Sequence, residues 1–172
     1  MSTESSGRWD IVTRAGHWLV AGLFLANQFF TDPEESWHHY FGYSIVAIVL
    51  LRLIWGLTFA RGPNRLSCFI PSKTAITEHL RALRQREPYD TVGHNPFGAM
   101  AIYLMWAGLL LLALTGWIEY YAIANFIDFA DLHEVLGEGL LLLVGVHVSA
   151  VIAMSLYQRV NLIRAMIFGR FR

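Results

Sequence analysis

Four long apolar segments restrict the folding of this chain more than any other feature. They cover residues 11–30, 38–60, 96–118 and 132–156. About 20 apolar residues are enough for an α-helix to cross the roughly 30 Å hydrocarbon layer of a bilayer. Only 15% of the residues are charged, against about 25% in a soluble domain. We therefore predict an all-α integral membrane protein, a four-helix bundle forming one domain over residues 1–172.

Basic residues are expected on one side of the membrane only. The loops 31–37 and 119–131 contain no Lys or Arg, whereas the loop 61–95, the ends of the chain and the first turn of the first span contain twelve. The positive-inside rule therefore places both termini in the cytoplasm. Within the long loop, residues 71–83 read as an amphipathic helix on the cytoplasmic surface, with His79 solvated. The single cysteine, Cys68, excludes a disulfide framework and a CxxCH haem attachment.

Four histidines lie at matching depths in the predicted spans. His133 and His147 are fourteen residues apart, a spacing that returns to nearly the same helix face after about 21 Å. Counting from the span ends pairs His147 with His17 on the cytoplasmic side and His133 with His38 at the outer mouth. Imidazole within a bilayer is a functional hypothesis by default. Two pairs from different helices predict two axially ligated haems and outer-sphere electron transfer.

Three further residues have both a functional and an ordinary interpretation. Arg52 lies fourteen residues after His38, and it either meets a propionate of the inner haem or snorkels to the interface. Arg14, one turn below His17, either meets a propionate as well or is an ordinary positive-inside residue. His94 precedes a helix start formed by Asn95 and Pro96. It is a propionate donor, a proton shuttle at a quinone site, or a plain interfacial residue.

Two glycines and a second histidine belong to the predicted outer site. Gly42 and Gly137 follow His38 and His133 by one turn. They either make room for a porphyrin face or serve as ordinary small residues at helix contacts. His39 is an alternative ligand that points about 100° away from its neighbour. We prefer His38 because its spacing to glycine repeats that of His133.

Several short patterns carry a resemblance that covers nearly the whole chain. They are Arg14-Ala15-Gly16-His17-Trp18, the stretch from His38 through Gly42-Tyr43 to Arg52 and Trp55-Gly56, Gly93-His94-Asn95-Pro96-Phe97-Gly98, His133 through Gly137, His147, and residues 161–167. The chain resembles the bacterial four-helix di-haem cytochrome b family, the cytochrome b-561 type that includes the membrane subunit of nickel–iron hydrogenases. The resemblance implies the bacterial inner membrane, quinone exchange, and two b-type haems bound by His17, His38, His133 and His147.

The leading hypothesis is a di-haem cytochrome that moves electrons between the quinone pool and a redox partner at the outer, periplasmic face. The resemblance implies a c-type cytochrome, a dehydrogenase or a hydrogenase as that partner. The acidic outer residues either form a docking patch for a basic protein or merely complement the positive-inside pattern. They are Asp32, Glu34, Glu35, Asp128 and Asp131. The oligomeric state stays open, and no nucleic-acid partner is expected.

Three other functions are weighed against this hypothesis. A superoxide:quinone oxidoreductase would favour a basic surround for its anionic substrate, and the outer loops lack Lys and Arg. Hydrogenase subunits of the family tend to be longer than this chain. A non-haem metal transporter or a structural anchor is disfavoured, because paired imidazoles with no carboxylate expected within the spans make a poor cation path. Whether the protein is an enzyme in its own right stays open.

Overall fold

The computed structural model describes residues 9–70, 72–85, 95–124 and 126–169. The α-helices in these ranges are α1 (Ile11–Phe30), α2 (Ser36–Thr58), α3 (Lys73–Gln85), α4 (Pro96–Tyr120), α5 (Phe129–Gln158) and α6 (Leu162–Phe168). Two short 3₁₀ turns, Gly62–Asn64 and Leu66–Phe69, connect α2 to α3. The described residues contain no strand, so the all-α prediction is confirmed. Each long helix begins and ends within three residues of its predicted segment.

Three of the helices are long and apolar enough to cross a membrane. Helices α2, α4 and α5 have mean hydropathies of 1.8, 2.1 and 2.2 over their best windows. Helix α1 has 20 residues but is not among the three, and it includes the polar residues Arg14, Asn27 and Gln28. A helical membrane protein is therefore confirmed, and α1 as a fourth span stays a prediction.

Side-chain caps fix the start of four helices. Asp10, Asn95, Asp128 and Asn161 each accept a hydrogen bond from the backbone N–H three residues further on. The first N–H groups of a helix have no partner within the helix, so these caps satisfy donors that would otherwise be left open. Pro96 occupies the first helical position of α4, where its missing N–H is harmless. The predicted helix start at this pair is therefore present.

The long helices pack as two antiparallel pairs, α1 with α2 and α4 with α5, and α2 also contacts α4. The core takes one or two residues from each of the four helices: Phe24, Ile45, Val49, Leu109 and Leu140. Leucines on the outward faces stay exposed, such as Leu142 at 71%. Apolar surface of this kind suits a lipid surround, because lipid replaces the burial that a soluble protein needs.

The two ends of the bundle carry opposite charge. We call the end with the α1–α2 and α4–α5 connections the acidic end, and the end with α3, α6 and the start of α1 the basic end. Six aromatic side chains near the acidic end are exposed: Trp37, Tyr40, Tyr43, Trp117, Tyr120 and Tyr121. Tryptophan and tyrosine concentrate at membrane–water interfaces. A membrane–water interface at this end of the bundle is therefore a prediction for these side chains.

Helix α3 corrects the prediction for His79. Its side chain is only 1% exposed, and its ring centroid lies 5.7 Å from that of Phe97 in α4. His79 and Ala82 share the buried face of α3, because residues three apart lie on one side of a helix. The predicted solvated position is therefore wrong, and burial lowers the pKa of His79.

Candidate haem-binding site

His38 and His133 form a pair between α2 and α5 at the acidic end. Their ring centroids are 6.0 Å apart, with the ring planes inclined at 62°. An imidazole nitrogen binds a first-row metal at about 2 Å and lies roughly 1 Å from its own ring centre. Two imidazoles on opposite sides of one metal therefore place their ring centres about 6 Å apart. The separation fits a pair of axial ligands.

The neighbours of His133 determine which of its nitrogens is available. Its Nδ1 lies 2.9 Å from the carbonyl oxygen of Leu112, and a carbonyl oxygen can only accept, so Nδ1–H donates. The Thr115 hydroxyl is 3.3 Å from the same nitrogen and itself donates to the Leu112 carbonyl. The lone pair of the neutral ring is thereby left on Nε2, as in metal-ligating histidines with an oriented second ring nitrogen.

His38 is oriented in the same way by α1. Its Nδ1 is 3.3 Å from Oγ1 of Thr31. The single hydroxyl proton of Thr31 is directed to Asn27, whose backbone oxygen and Oδ1 lie at 2.9 and 2.8 Å. Thr31 therefore accepts from Nδ1–H of His38, and Nε2 again keeps its lone pair. Both imidazoles of the pair have the tautomer that ligation requires.

His39 lies beside this pair but faces a different helix. Its ring centroid is 4.3 Å from that of Tyr120 in α4 and 5.9 Å from that of His38. The hydrogen bond to Thr31 and the approach to His133 both belong to His38. This arrangement favours His38 over His39 as the ligand, and the assignment stays a prediction.

His17 and His147 belong to α1 and α5 and interact electrostatically. The Nδ1 atom of His17 is buried and has no hydrogen-bond partner among the described residues. The ring of Trp18 makes an edge contact with it, at a centroid distance of 5.0 Å. A buried polar atom without a partner requires an explanation. A group bound at this nitrogen would provide one, and the pairing of His17 with His147 around a second haem stays a prediction.

Arg52 is enclosed near the basic end of the bundle. Its side chain is 8% exposed, Nη2 donates to the Asn64 carbonyl at 2.8 Å, and the guanidinium lies 5.8 Å from the ring centre of Trp106. Nη1 is buried and has no partner within the described residues. The guanidinium is thus held by protein groups rather than reaching the surface. This buried N–H group is available to donate a hydrogen bond to a haem propionate.

The structure gives contacts for Arg14 but does not describe His94. Arg14 donates from Nη1 to the carbonyl oxygen of Ile167 at the end of α6. A cation there also complements the negative end of the helix dipole. Its Nε is buried without a partner in the described part of the chain, so its role toward a propionate stays a prediction. His94 lies outside the described residues.

Gly42 and Gly137 have more space for a side chain than Gly116, which the sequence analysis did not identify. A Cβ on Gly42 would meet nothing within 4 Å, and one on Gly137 would make only ordinary contacts of 3.7 and 3.8 Å. A Cβ on Gly116 would lie 2.8 Å from Cε1 of His133, closer than real contacts allow. Small residues are common at contacts between membrane helices, so the sequence around Gly116 does not indicate its position beside His133.

The fourth predicted span contains two carboxylates, whereas the prediction against a cation path assumed none within the spans. Glu134 and Glu138 are exposed in α5. A shallow groove of about 1030 Å³ runs along the same helix beside Glu138, Gly145 and Ser149. At 100° per residue this face is turned away from His133 and His147. These carboxylates therefore do not join the histidine pairs, and they form no cation path with them.

Histidines brought together from different helices of a membrane bundle are the arrangement expected of a b-type cytochrome. The family model described as prokaryotic cytochrome b561 matches residues 8–169. The chain belongs to this family, which confirms the resemblance and makes the protein a membrane b-type cytochrome that binds haem b and transfers electrons. Comparisons with curated proteins and with solved structures found no match.

Proposed function

We propose that the protein is a di-haem cytochrome b that carries electrons across the bacterial inner membrane, between the quinone pool and a redox partner at the outer face. The observation that carries the proposal is the His38–His133 pair, with ring centroids 6.0 Å apart. Both Nδ1 atoms of this pair are engaged by neighbouring groups. Two Nε2 lone pairs are thereby available from opposite helices.

Each haem would be held by one histidine pair. His38 and His133 would bind the haem at the acidic end, and His17 and His147 the haem at the basic end. The haem iron supplies a one-electron couple. With one histidine from each of two helices holding the iron, no coordination site would remain for oxygen. Gly42 and Gly137 lie one turn from the first pair and leave room beside it.

Charged groups at the basic end would bind the haem propionates and serve quinone exchange. The buried Nη1 of Arg52 and the Nε of Arg14 have no partners within the described ranges, and each is a donor for a carboxylate. His94 is the candidate for a second propionate donor or for proton transfer to quinone. We infer that this end faces the cytoplasm, because the basic residues concentrate there.

The acidic end would receive the redox partner. Its connecting segments carry Asp32, Glu34, Glu35, Asp128 and Asp131 without any Lys or Arg. This charge favours a basic protein such as a c-type cytochrome, or a dehydrogenase or hydrogenase subunit with a basic face. It disfavours the stand-alone superoxide:quinone oxidoreductase, because superoxide is an anion.

A haem count tests the proposal. The purified protein in detergent should show a reduced-minus-oxidised spectrum of b-type haem, and the pyridine haemochrome should give two haems per chain. The variants His133→Ala and His147→Ala should each retain one haem, because each breaks one pair. His79→Ala is the matched control and should retain two. Absence of haem would overturn the proposal, and a single haem would disprove the two-pair arrangement.

The same measurement distinguishes the two adjacent histidines of α2. His38→Ala should lose the haem at the acidic end, whereas His39→Ala should keep both, because the hydrogen bond to Thr31 belongs to His38. The reverse result would assign the ligand to His39.

A further inference from the structure

We propose that the short helix α6 positions His17, the histidine predicted to hold the haem at the basic end together with His147. This inference rests on the proposed function, since it concerns the second of the two haems. It gives a role to residues 161–167, a pattern of the family resemblance that the proposed function leaves unexplained.

The start of α6 is attached to the end of α5, the helix that carries His147. Arg159 ends α5 in the left-handed region, with φ of 54°, and turns the chain away from the α5 axis. The hydroxyl of Ser155 in α5 then accepts a hydrogen bond from the N–H of Leu162 at 3.2 Å. The Asn161 side chain caps the same turn. Helix α6 is therefore held at the basic end of α5.

The end of α6 lies against α1, the helix that carries His17. The indole N–H of Trp18 donates to the carbonyl oxygen of Met166 at 3.4 Å. Nη1 of Arg14 donates to the carbonyl oxygen of Ile167. The last carbonyl groups of a helix have no partner within the helix, so these two side chains satisfy open acceptors. Helix α6 thus connects the two helices that carry the predicted ligands of the haem at the basic end.

Gly169 makes the close approach of α6 to α1 possible. Its φ of 77° lies in the region that glycine enters without strain. Its N–H donates to the Ala165 carbonyl at 2.7 Å and closes the helix. A Cβ on Gly169 would lie 2.9 Å from the carbonyl oxygen of Trp9 and 3.2 Å from Cζ of Arg14. A backbone oxygen cannot turn aside as a side chain can, so a larger residue here pushes α6 away from α1.

His17 depends on this support because no hydrogen bond orients its ring. Nδ1 of His38 and Nδ1 of His133 have partners, whereas Nδ1 of His17 is buried without one in the described part of the chain. The edge of Trp18 contacts the His17 ring at a centroid distance of 5.0 Å. Trp18 is itself 43% exposed, so its bond to α6, rather than burial, fixes the indole. Arg14, three residues before His17, lies on the same side of α1 and is held by α6 as well.

A displaced α6 should weaken His17 as a ligand. Haem iron with two axial histidines is six-coordinate and offers no site for a gas. If His17 leaves the iron, the reduced haem becomes five-coordinate and binds carbon monoxide at the vacated position. Carbon monoxide binding therefore reports the position of His17 without any measurement of electron transfer activity.

Gly169→Ala tests the inference in the purified full-length protein, once the pyridine haemochrome has shown two haems in the wild type. The reduced wild type should bind no carbon monoxide. Reduced Gly169→Ala should bind it at one of the two haems, and the oxidised variant should lose one of the two low-spin electron paramagnetic resonance signals. Gly22→Ala is the matched control in α1, because a Cβ there meets nothing within 4 Å. An absence of carbon monoxide binding in Gly169→Ala would overturn the inference, whereas a wild type with fewer than two haems would instead contradict the proposed function.

Two single-haem backgrounds identify the haem that responds. His133→Ala keeps only the haem at the basic end, so the addition of Gly169→Ala should make that haem bind carbon monoxide. His147→Ala keeps only the haem at the acidic end, and the addition of Gly169→Ala should leave that haem unreactive. Carbon monoxide binding in the His147→Ala background would show that α6 supports the fold in general, and it would overturn the specific role at His17.

Trp18→Phe is a milder second test, and it decides the matter if Gly169→Ala does not fold. Phenylalanine keeps an aromatic edge beside His17 but lacks the indole N–H that donates to Met166. The reduced variant should therefore bind carbon monoxide at the haem of the basic end.

Trp37→Phe is the matched control for this substitution. Trp37 also neighbours a predicted ligand in the sequence, but that ligand, His38, is oriented by Thr31. The control should bind no carbon monoxide. Equal binding in Trp18→Phe and Trp37→Phe, including none in both, would overturn the proposal.

Discussion

At the scale of single residues, the role of each histidine depends on the atoms around its ring. His133 is partly buried and donates to the Leu112 carbonyl on the opposite helix, whereas His79 is fully buried against Phe97. The hydrogen bond to Leu112 holds the His133 ring with Nε2 available to a metal. Residue type and spacing indicated the four candidate ligands, but these neighbours come from other helices and could not be predicted.

Gly116 is a residue-scale prediction of the same kind. Gly116→Ala would place a Cβ 2.8 Å from Cε1 of His133, so the imidazole must move out of its position. We expect the pyridine haemochrome count to fall from two toward one, with the loss confined to the haem at the acidic end. Gly139→Ala is the control, because a Cβ there meets nothing within 4 Å. An unchanged count in Gly116→Ala would show that the ring tolerates the displacement.

At the scale of helices, the apolar segments and their caps predicted the elements well. The Asn95-Pro96 start and the lengths of the long helices follow from local sequence. The packing of α3 against α4 could not be predicted, because an amphipathic pattern does not show whether lipid, water or another helix covers its apolar side. In the segment after α2, the contact of the Asn64 carbonyl with Arg52 also depends on the tertiary fold and could not be predicted.

The start of α1 connects these elements, and Asp10 makes the connection. Its carboxylate caps α1 at the Thr13 N–H, 2.7 Å away, and accepts from the Trp55 indole at 2.9 Å. Asp10→Ala removes both bonds, and loss of a cap alone destabilises a protein by about 0.5–2 kcal/mol. We expect a lower thermal unfolding midpoint in detergent, with the haem count retained. Asn161→Ala should have the smaller effect, because within the described residues the Asn161 side chain makes only the cap bond.

The pH dependence of Asp10 follows from the same contacts. Burial raises the pKa of Asp10, but the bonds from Thr13 and Trp55 and the charge of Arg52 outweigh it, so the pKa lies below its ordinary value of 3.8. The stabilisation is therefore complete above that value and disappears as the pH falls through the lowered pKa. Asp10→Asn should flatten this acid limb of the unfolding curve. An unaltered acid limb would assign the loss to other carboxylates.

At the scale of the whole molecule, charge is distributed asymmetrically. Basic residues gather at the end with α3 and α6, and carboxylates gather at the opposite end. This distribution predicts the orientation in the membrane through the positive-inside rule. The charge distribution is visible in the sequence, whereas the burial of Arg52 between the helices required the structure.

The single cysteine tests that orientation without any substitution. Cys68 is exposed and lies in the 3₁₀ turn Leu66–Phe69 between α2 and α3 at the basic end. If this end faces the cytoplasm, a membrane-impermeant maleimide should not label Cys68 in intact spheroplasts and should label it after permeabilisation. A Cys68→Ser, Asp32→Cys variant should show the opposite behaviour, because its thiol lies at the acidic end. Labelling of Cys68 in intact spheroplasts would show the opposite orientation.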